Sequence, residues 1–145
     1  MLKRLFDTSV FIAAFVESHP FHNYALPFLI KAKNAEFELF VSAHSLLEIY
    51  SVLTSAPFHP KISPTLAKRL IETNIKSIAK IVSLSDDDYF KILTKMSKLG
   101  LSGGIVYDAI IVHCAQKAGV DEIITLNQKD FVILTESTSI KVRSF

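Results

Sequence analysis

Short apolar blocks alternate along the 145-residue chain with longer stretches whose apolar residues recur every three or four positions. Blocks of the first kind mark strands buried on both faces, and stretches of the second kind mark helices that bury one face. Residues 2–6 form the first block and end at Asp7, with Thr8 and Ser9 placed to cap a helix over the apolar run 10–16. His19-Pro20 stops that helix, and the next is predicted over residues 23–33, with Pro27 in its first turn or kinking it. Residues 37–41 form a second strand. Ser42 then caps a helix carrying Leu46, Leu47, Ile49, Tyr50, Val52 and Leu53, and Glu48 lies inside it with apolar residues on both sides. After a loop over 56–60, Ser63-Pro64 supplies a cap and a first-turn proline, with Ile62 as a hydrophobic staple. Leu66, Leu70, Ile71, Ile75 and Ile78 continue at helical spacing. Residues 81–84 give a third strand, Ser85 opens a helix that ends at Gly100, residues 122–125 give a fourth strand, 127–130 a turn, and 140–142 a short fifth strand.

The stretch from Gly103 to Gly119 departs from this amphipathic pattern. Its apolar residues fall on nearly every face, which predicts a buried helix closed by a glycine cap. Asp108 stands in the middle of the stretch. A carboxylate in such surroundings costs several kcal/mol, on the order given by apolar transfer, unless it is paired, hydrogen-bonded or bound to a cation.

Strands alternating with helices imply an α/β fold, a mostly parallel sheet of four to five strands covered on both faces, in one domain over residues 1–145. In such sheets ligands sit beyond the carboxyl ends of the strands. Asp7, Ser42 and the segment Thr125-Leu126-Asn127 all fall at such ends.

Composition narrows the reading. Half the residues are hydrophobic and 21% are charged, as in a chain with an ordinary core, and there is no repeat or low-complexity tract. The one cysteine, Cys114, excludes an internal disulfide framework and a cysteine-based zinc site, and inside the buried helix it reads as a small core residue. Asp7 interrupts the apolar amino-terminal run, so no signal peptide is read there, and no stretch reaches the ~18 apolar residues of a membrane span. The expected location is the cytoplasm. A net charge of +2 is too mild to announce nucleic-acid binding.

Three of the acidic residues, Asp7, Glu48 and Asp108, stand in strongly apolar contexts. Each alone reads as a satisfied cap or a buried hydrogen bond. Together, on elements whose ends can face one edge of the sheet, they would repel strongly in a low-dielectric site, and a divalent cation removes that repulsion. Oxygen ligands without cysteine or convergent histidine favour magnesium or manganese over zinc. A fourth oxygen comes from Asp130 or Asn127, and Asp130 reads equally as a turn residue. Ser9 and Thr125 carry two readings as well, the commoner one for Ser9 being the helix cap and the other a hydroxyl that holds Asp7 or a metal-bound water. Setting aside Asp7, Glu48, Asp108 and Asp130 leaves 16 basic against ten acidic residues, a basic remainder that suits a phosphodiester substrate.

Asp86-Asp87-Asp88 reads as a solvated helix start favoured by the macrodipole. Lys91, Lys95 and Lys98 recur at i, i+4 and i+7 on that helix, a pattern that is commonly a solvated face and less often a phosphate-contacting stripe. The five histidines show no metal-ligand spacing, and Gly103-Gly104 is too short for a phosphate loop.

The ordered set Asp7-Thr8-Ser9, Glu48, Tyr107-Asp108-Ala109 and Thr125-Leu126-Asn127-Gln128-Lys129-Asp130-Phe131 resembles the PIN-domain ribonucleases, in particular the VapC-like toxins of toxin–antitoxin pairs. The resemblance spans essentially the whole chain. It implies a PIN-like three-layer α/β/α fold and a Mg2+- or Mn2+-dependent endoribonuclease. Asp7, Glu48 and Asp108 would be metal ligands, and Asp130 would complete the acidic cluster. Family members can place the last acid nearer the strand, where this chain has Asn127, so that corner stays open between the two. The resemblance also implies an RNA substrate, a cognate antitoxin protein and a homodimer. A catalytically silent PIN-like scaffold and a housekeeping RNA-processing nuclease are the alternatives. An aspartyl-phosphate phosphotransferase would want a second Asp where Ser9 stands.

Overall fold

The computed structural model describes residues 1–145 and orders them as a repeating strand–helix chain. The elements are β1 (Lys3–Phe6), α1 (Thr8–Phe15), α2 (His22–Lys33), β2 (Glu38–Ser42), α3 (Ala43–Ser55), α4 (Pro64–Ile71), β3 (Lys80–Val82), α5 (Asp86–Leu99), α6 (Ile105–Lys117), β4 (Glu122–Ile124), α7 (Gln128–Thr135) and β5 (Lys141–Arg143). Past Ile71, α4 widens into a π turn over Glu72–Lys76, which carries Ile75 into the core.

The five strands form one sheet in the order β3-β2-β1-β4-β5. Every pairing is parallel. The expectation of a mostly parallel sheet therefore sharpens to an all-parallel one, because each strand is reached through at least one helix. The chain lays β2 and β3 on one side of β1 and then β4 and β5 on the other. The strand order thus reverses between β1 and β4, and a crevice opens at the carboxyl ends of those two strands.

Side-chain alternation along the strands splits the core into two layers. Phe6, Leu39, Val41 and Ile124 pack beneath α1, α2, α3 and α4 on one face. Leu5, Phe40 and Ile123 pack beneath α5, α6 and α7 on the other. Phe6, Phe11, Phe131, Leu5, Ile111 and Ile124 are fully buried. Each such side chain contributes roughly 1.5–3 kcal/mol of burial. Gly100 (φ 64°) and Gly119 (φ 67°) end α5 and α6 in the left-handed conformation, where a side chain would be strained.

Three local expectations are corrected. Residues 127–130 are not a free turn: Gln128 begins α7, an eight-residue helix that carries Asp130 in its first turn. Asp108 lies in the first turn of α6 rather than in the middle of a rod, because the helix begins only at Ile105. The acidic start of α5 is not all solvated. Asp88 closes a capping box with Ser85 and receives His113 Nε2 at 2.9 Å and Lys117 Nζ at 2.8 Å. These contacts fasten α5 to α6 and hold the Asp88 carboxyl far below the usual carboxylate range, the Lys117 bond being the largest cause.

Candidate active site

The register of β1 on β4 builds the first corner. Arg4 pairs with Glu122, Leu5 with Ile123 and Phe6 with Ile124, so the next residues along, Asp7 and Thr125, come side by side at the crevice. The Asp7 amide donates to Ile124 O at 3.0 Å, which continues the ladder past the strand end. Thr125 Oγ1 donates to Asp7 Oδ2 at 2.8 Å, and Ser9 Oγ donates to the same oxygen at 2.8 Å. Both hydroxyls also accept. The Leu126 amide donates to Ser9 Oγ at 3.1 Å, and the Asn127 amide donates to Thr125 Oγ1 at 2.9 Å. Asp7 is the N-cap of α1 by position, yet no side chain caps that helix end. Ser9 is thus not the helix cap but one of two hydroxyls that fix Asp7. Burial pushes the Asp7 carboxyl above its ordinary value, and the Ser9 and Thr125 hydrogen bonds hold it back.

Glu48 reaches the crevice from α3. Its Oε1 is buried and accepts no hydrogen bond, although His44 Nε2, one turn earlier, lies 3.3 Å away. Burial is the main cause of the raised Glu48 carboxyl pKa; His44 acts against it and the charge of Asp7 adds to it. The His44 ring in turn stacks on Tyr107 with centroids 5.8 Å apart and planes 5° from parallel. This ties the first turn of α3 to the first turn of α6, next to Asp108.

Asp108 is half-buried, and its carboxyl is pushed up to about 7. Burial is the largest cause, followed by the charges of Asp7, Asp130 and Glu48. The structure therefore places Asp7, Glu48 and Asp130 close enough to Asp108 for their charges to raise its carboxyl. At the open corner, Asn127 Nδ2 donates to Asp130 Oδ2 at 3.0 Å, which joins the two candidate residues to each other. Sequence reasoning missed His44 and Tyr107. The signal was the i, i+4 pairing of His44 with Glu48 and the aromatic directly before Asp108.

The donor set is all oxygen and suits a hard divalent cation. The carboxylates are not drawn into a closed cage: no three His, Cys, Asp or Glu side chains are placed to hold one ion as they stand. That arrangement fits an ion which keeps several of its waters and meets part of the carboxylate set through them. The unpartnered buried Glu48 Oε1 and the protonation-prone Asp108 are the two features that a cation would relieve.

An α/β/α sandwich with acidic side chains gathered at the switch point of a parallel sheet is suited to metal-assisted phosphoryl chemistry of several kinds. The chain belongs to the PIN-domain family, whose model matches residues 4–133. Among its relatives are ribonuclease VapC40 of Mycobacterium tuberculosis, 30% identical over 113 residues that cover 78% of each chain, and ribonuclease VapC27 of the same organism, 30% identical over 109 residues covering 75% of this chain and 74% of the other. The fold is shared with VapC20 of M. tuberculosis, a toxin that cleaves the sarcin–ricin loop (TM-score 0.66, 15% identity, 83% of this chain and 86% of that one). It is also shared with a chain of VapBC2 from Rickettsia felis bound to promoter DNA (TM-score 0.67, 18% identity, 100% and 99%). PIN-domain ribonucleases of the VapC kind are, as a class, dependent on a divalent metal.

Proposed function

We propose that this chain is a VapC-like endoribonuclease, the toxin of a toxin–antitoxin pair, and that it hydrolyses RNA with Mg2+ or Mn2+ held by Asp7, Glu48 and Asp108, with Asp130 completing the acidic cluster. The observation that carries this reading is the elevation of Asp108 to about 7 by burial and by three other carboxylates. A half-buried carboxylate raised by three neighbouring carboxylates does not stabilise a fold, and it makes sense in a site completed by a cation.

When bound, a divalent ion lowers the pKa of a water and neutralises charge on the departing oxygen. The residues of the chain prepare that event. Ser9 and Thr125 hold Asp7 Oδ2 in one orientation. Asn127 does the same for Asp130. Glu48 contributes an oxygen with no competing hydrogen bond. No serine, cysteine or histidine is arranged as a nucleophile with its base. Hydrolysis by an added water balances without one, since the water adds to phosphorus and the ester P–O bond breaks.

A homodimer and a cognate antitoxin are part of the same reading. The apolar side chains that α3 leaves in solvent, Leu47 at 73% exposure with Tyr50 one turn on, support a protein partner. No helix is long and apolar enough to cross a membrane, and the cytoplasm, where RNA is met, is the proposed location. The test is a manganese titration of the purified protein on mixed RNA, with and without chelator. Metal-dependent cleavage is expected. Metal binding without cleavage by wild-type protein would point instead to a silent scaffold.

A further inference from the structure

The lysines of α5 remain outside the site just described. Lys91, Lys95 and Lys98 lie on one side of α5 and, with Thr94, Leu99, Gln116 and Ser137, line a cavity of about 380 Å³ that no carboxylate borders. None of the three forms an ion pair. Asp87, one turn before Lys91, is close in sequence yet does not bridge to it. Lys95 is fixed in place, its Nζ donating to Leu134 O at 2.6 Å at the carboxyl end of α7. Burial lowers its pKa, as happens to an ammonium without a counter-charge. By contrast, Lys117, at the end of α6, is neutralised by Asp88 at 2.8 Å. The three α5 cations are therefore an uncompensated, partly preformed group, and an arriving anion supplies the missing charge.

We propose that this cavity binds backbone phosphates of the RNA substrate, as a holding track alongside the cleavage site. The inference rests on the endoribonuclease reading above. Geometry favours a polyanion over a single ion. At 1.5 Å per residue, the lysines span about 10 Å of helix. Gln116, which borders the cavity, stands eight residues beyond Asp108 on α6, or about 12 Å along the axis. A few nucleotides of an extended single strand cross that distance. Lysines read phosphate as point charges and carry no base preference, so the track adds affinity without adding sequence choice.

The test measures binding, not cleavage, and is run in chelator on a fluorescent 12-nucleotide single-stranded RNA, with a dinucleotide and inorganic phosphate as shorter probes. The variant is Lys91→Gln/Lys98→Gln, which spares Lys95 and its bond to α7. Lys68→Gln/Lys76→Gln, on the opposite face, makes the same change in net charge. Losing two phosphate contacts should reduce the salt slope of binding by about 1.4, which is about 25-fold in affinity at 0.1 M salt if the electrostatic contribution vanishes near 1 M. Dinucleotide binding should be unchanged, and the opposite-face variant should behave as wild type. An unchanged slope, or an equal loss in the opposite-face variant, overturns the track. So does loss of inorganic phosphate binding alone with 12-mer affinity intact, which would make the cavity a free-anion site. Because no metal is present, a wild-type protein that grips the 12-mer through these lysines yet cuts no RNA under manganese counts against the proposed cleavage site and not against the track.

Discussion

Asp7 and Thr125 are 118 positions apart in the chain and are joined by a 2.8 Å hydrogen bond between the ends of two neighbouring parallel strands. The contact is at once a staple of the sheet and the orientation of a carboxylate. Replacing Thr125 with Val keeps the volume and removes a donor to Asp7 together with an acceptor for the Asn127 amide. Stability should fall by about 1–3 kcal/mol, since the buried Asp7 carboxylate loses a donor and a part-buried amide loses its acceptor. Cleavage should fall about 10- to 100-fold, as when the support of a metal ligand is lost. Denaturant melts and single-turnover cleavage report the two effects separately.

Asp7→Asn and Asp108→Asn should each lower metal-dependent cleavage by more than about a hundredfold, beyond the loss typical of a supporting residue. The fold should survive. In metal-free buffer near pH 8 the Asp108→Asn protein should melt at a higher temperature than wild type, because one member of a repelling group of carboxylates is gone. Undiminished cleavage by the double variant would sink the assigned mechanism.

The pH dependence of stability has a defined sign. Asp108 is raised from 3.8 to about 7 in the folded protein, so over that interval the native state holds a proton that the unfolded chain has released. Its contribution is fully present below the unfolded value and is lost as pH rises through about 7. Metal-free protein should therefore lose melting temperature between about pH 4 and 7 from this group. Millimolar Mg2+ should restore most at the alkaline end and release protons on binding. A metal-free melting temperature that climbs over the same interval, once other groups are accounted for by Asp108→Asn, would contradict the assignment.

Asp88 has the opposite sign. Its carboxyl is held far down by Lys117, Ser85 and His113, so its stabilising contribution is present above the unfolded value near 3.8 and disappears as pH falls through the acid range. Asp88→Asn should lower the melting temperature at neutral pH and remove part of the acid-dependent loss. The α5–α6 pairing should loosen in hydrogen exchange, while RNA cleavage stays within a few-fold of wild type.

Three carboxylates of the candidate site were legible because each interrupts an apolar run: Asp7 after Leu2–Phe6, Glu48 within the third helix, Asp108 among isoleucines and valines. The parallel sheet followed from the alternation of blocks for the same reason, that periodicity reports burial directly. What failed was tertiary. Asn127-Gln128-Lys129-Asp130 has the composition of a turn, and α7 has no side-chain cap to announce it. It holds because Phe131 and Leu134 are buried against the sheet. Ser9 looked like a cap because caps are satisfied locally, whereas its hydroxyl is claimed by Asp7 and by the Leu126 amide, 117 residues away. Asp88 looked solvated because His113 and Lys117, which bury it, come from the next helix.

The strand order carries a consequence for biosynthesis. β1 emerges first and stands at the centre of the sheet, but one of its two neighbours, β4, is among the last strands made. Until residues 122–125 are out of the ribosome, Asp7 lacks Thr125 and the tether from Leu126 to Ser9, and Asp130 does not yet exist in the chain. A growing polypeptide can pack α1 through α4 on β1, β2 and β3 while its cleft stays half built. The proposed cleft is thus completed after much of the core beneath it: the growing chain holds Asp7 and Glu48 without Thr125 or Asp130 until β4 and the start of α7 have been made.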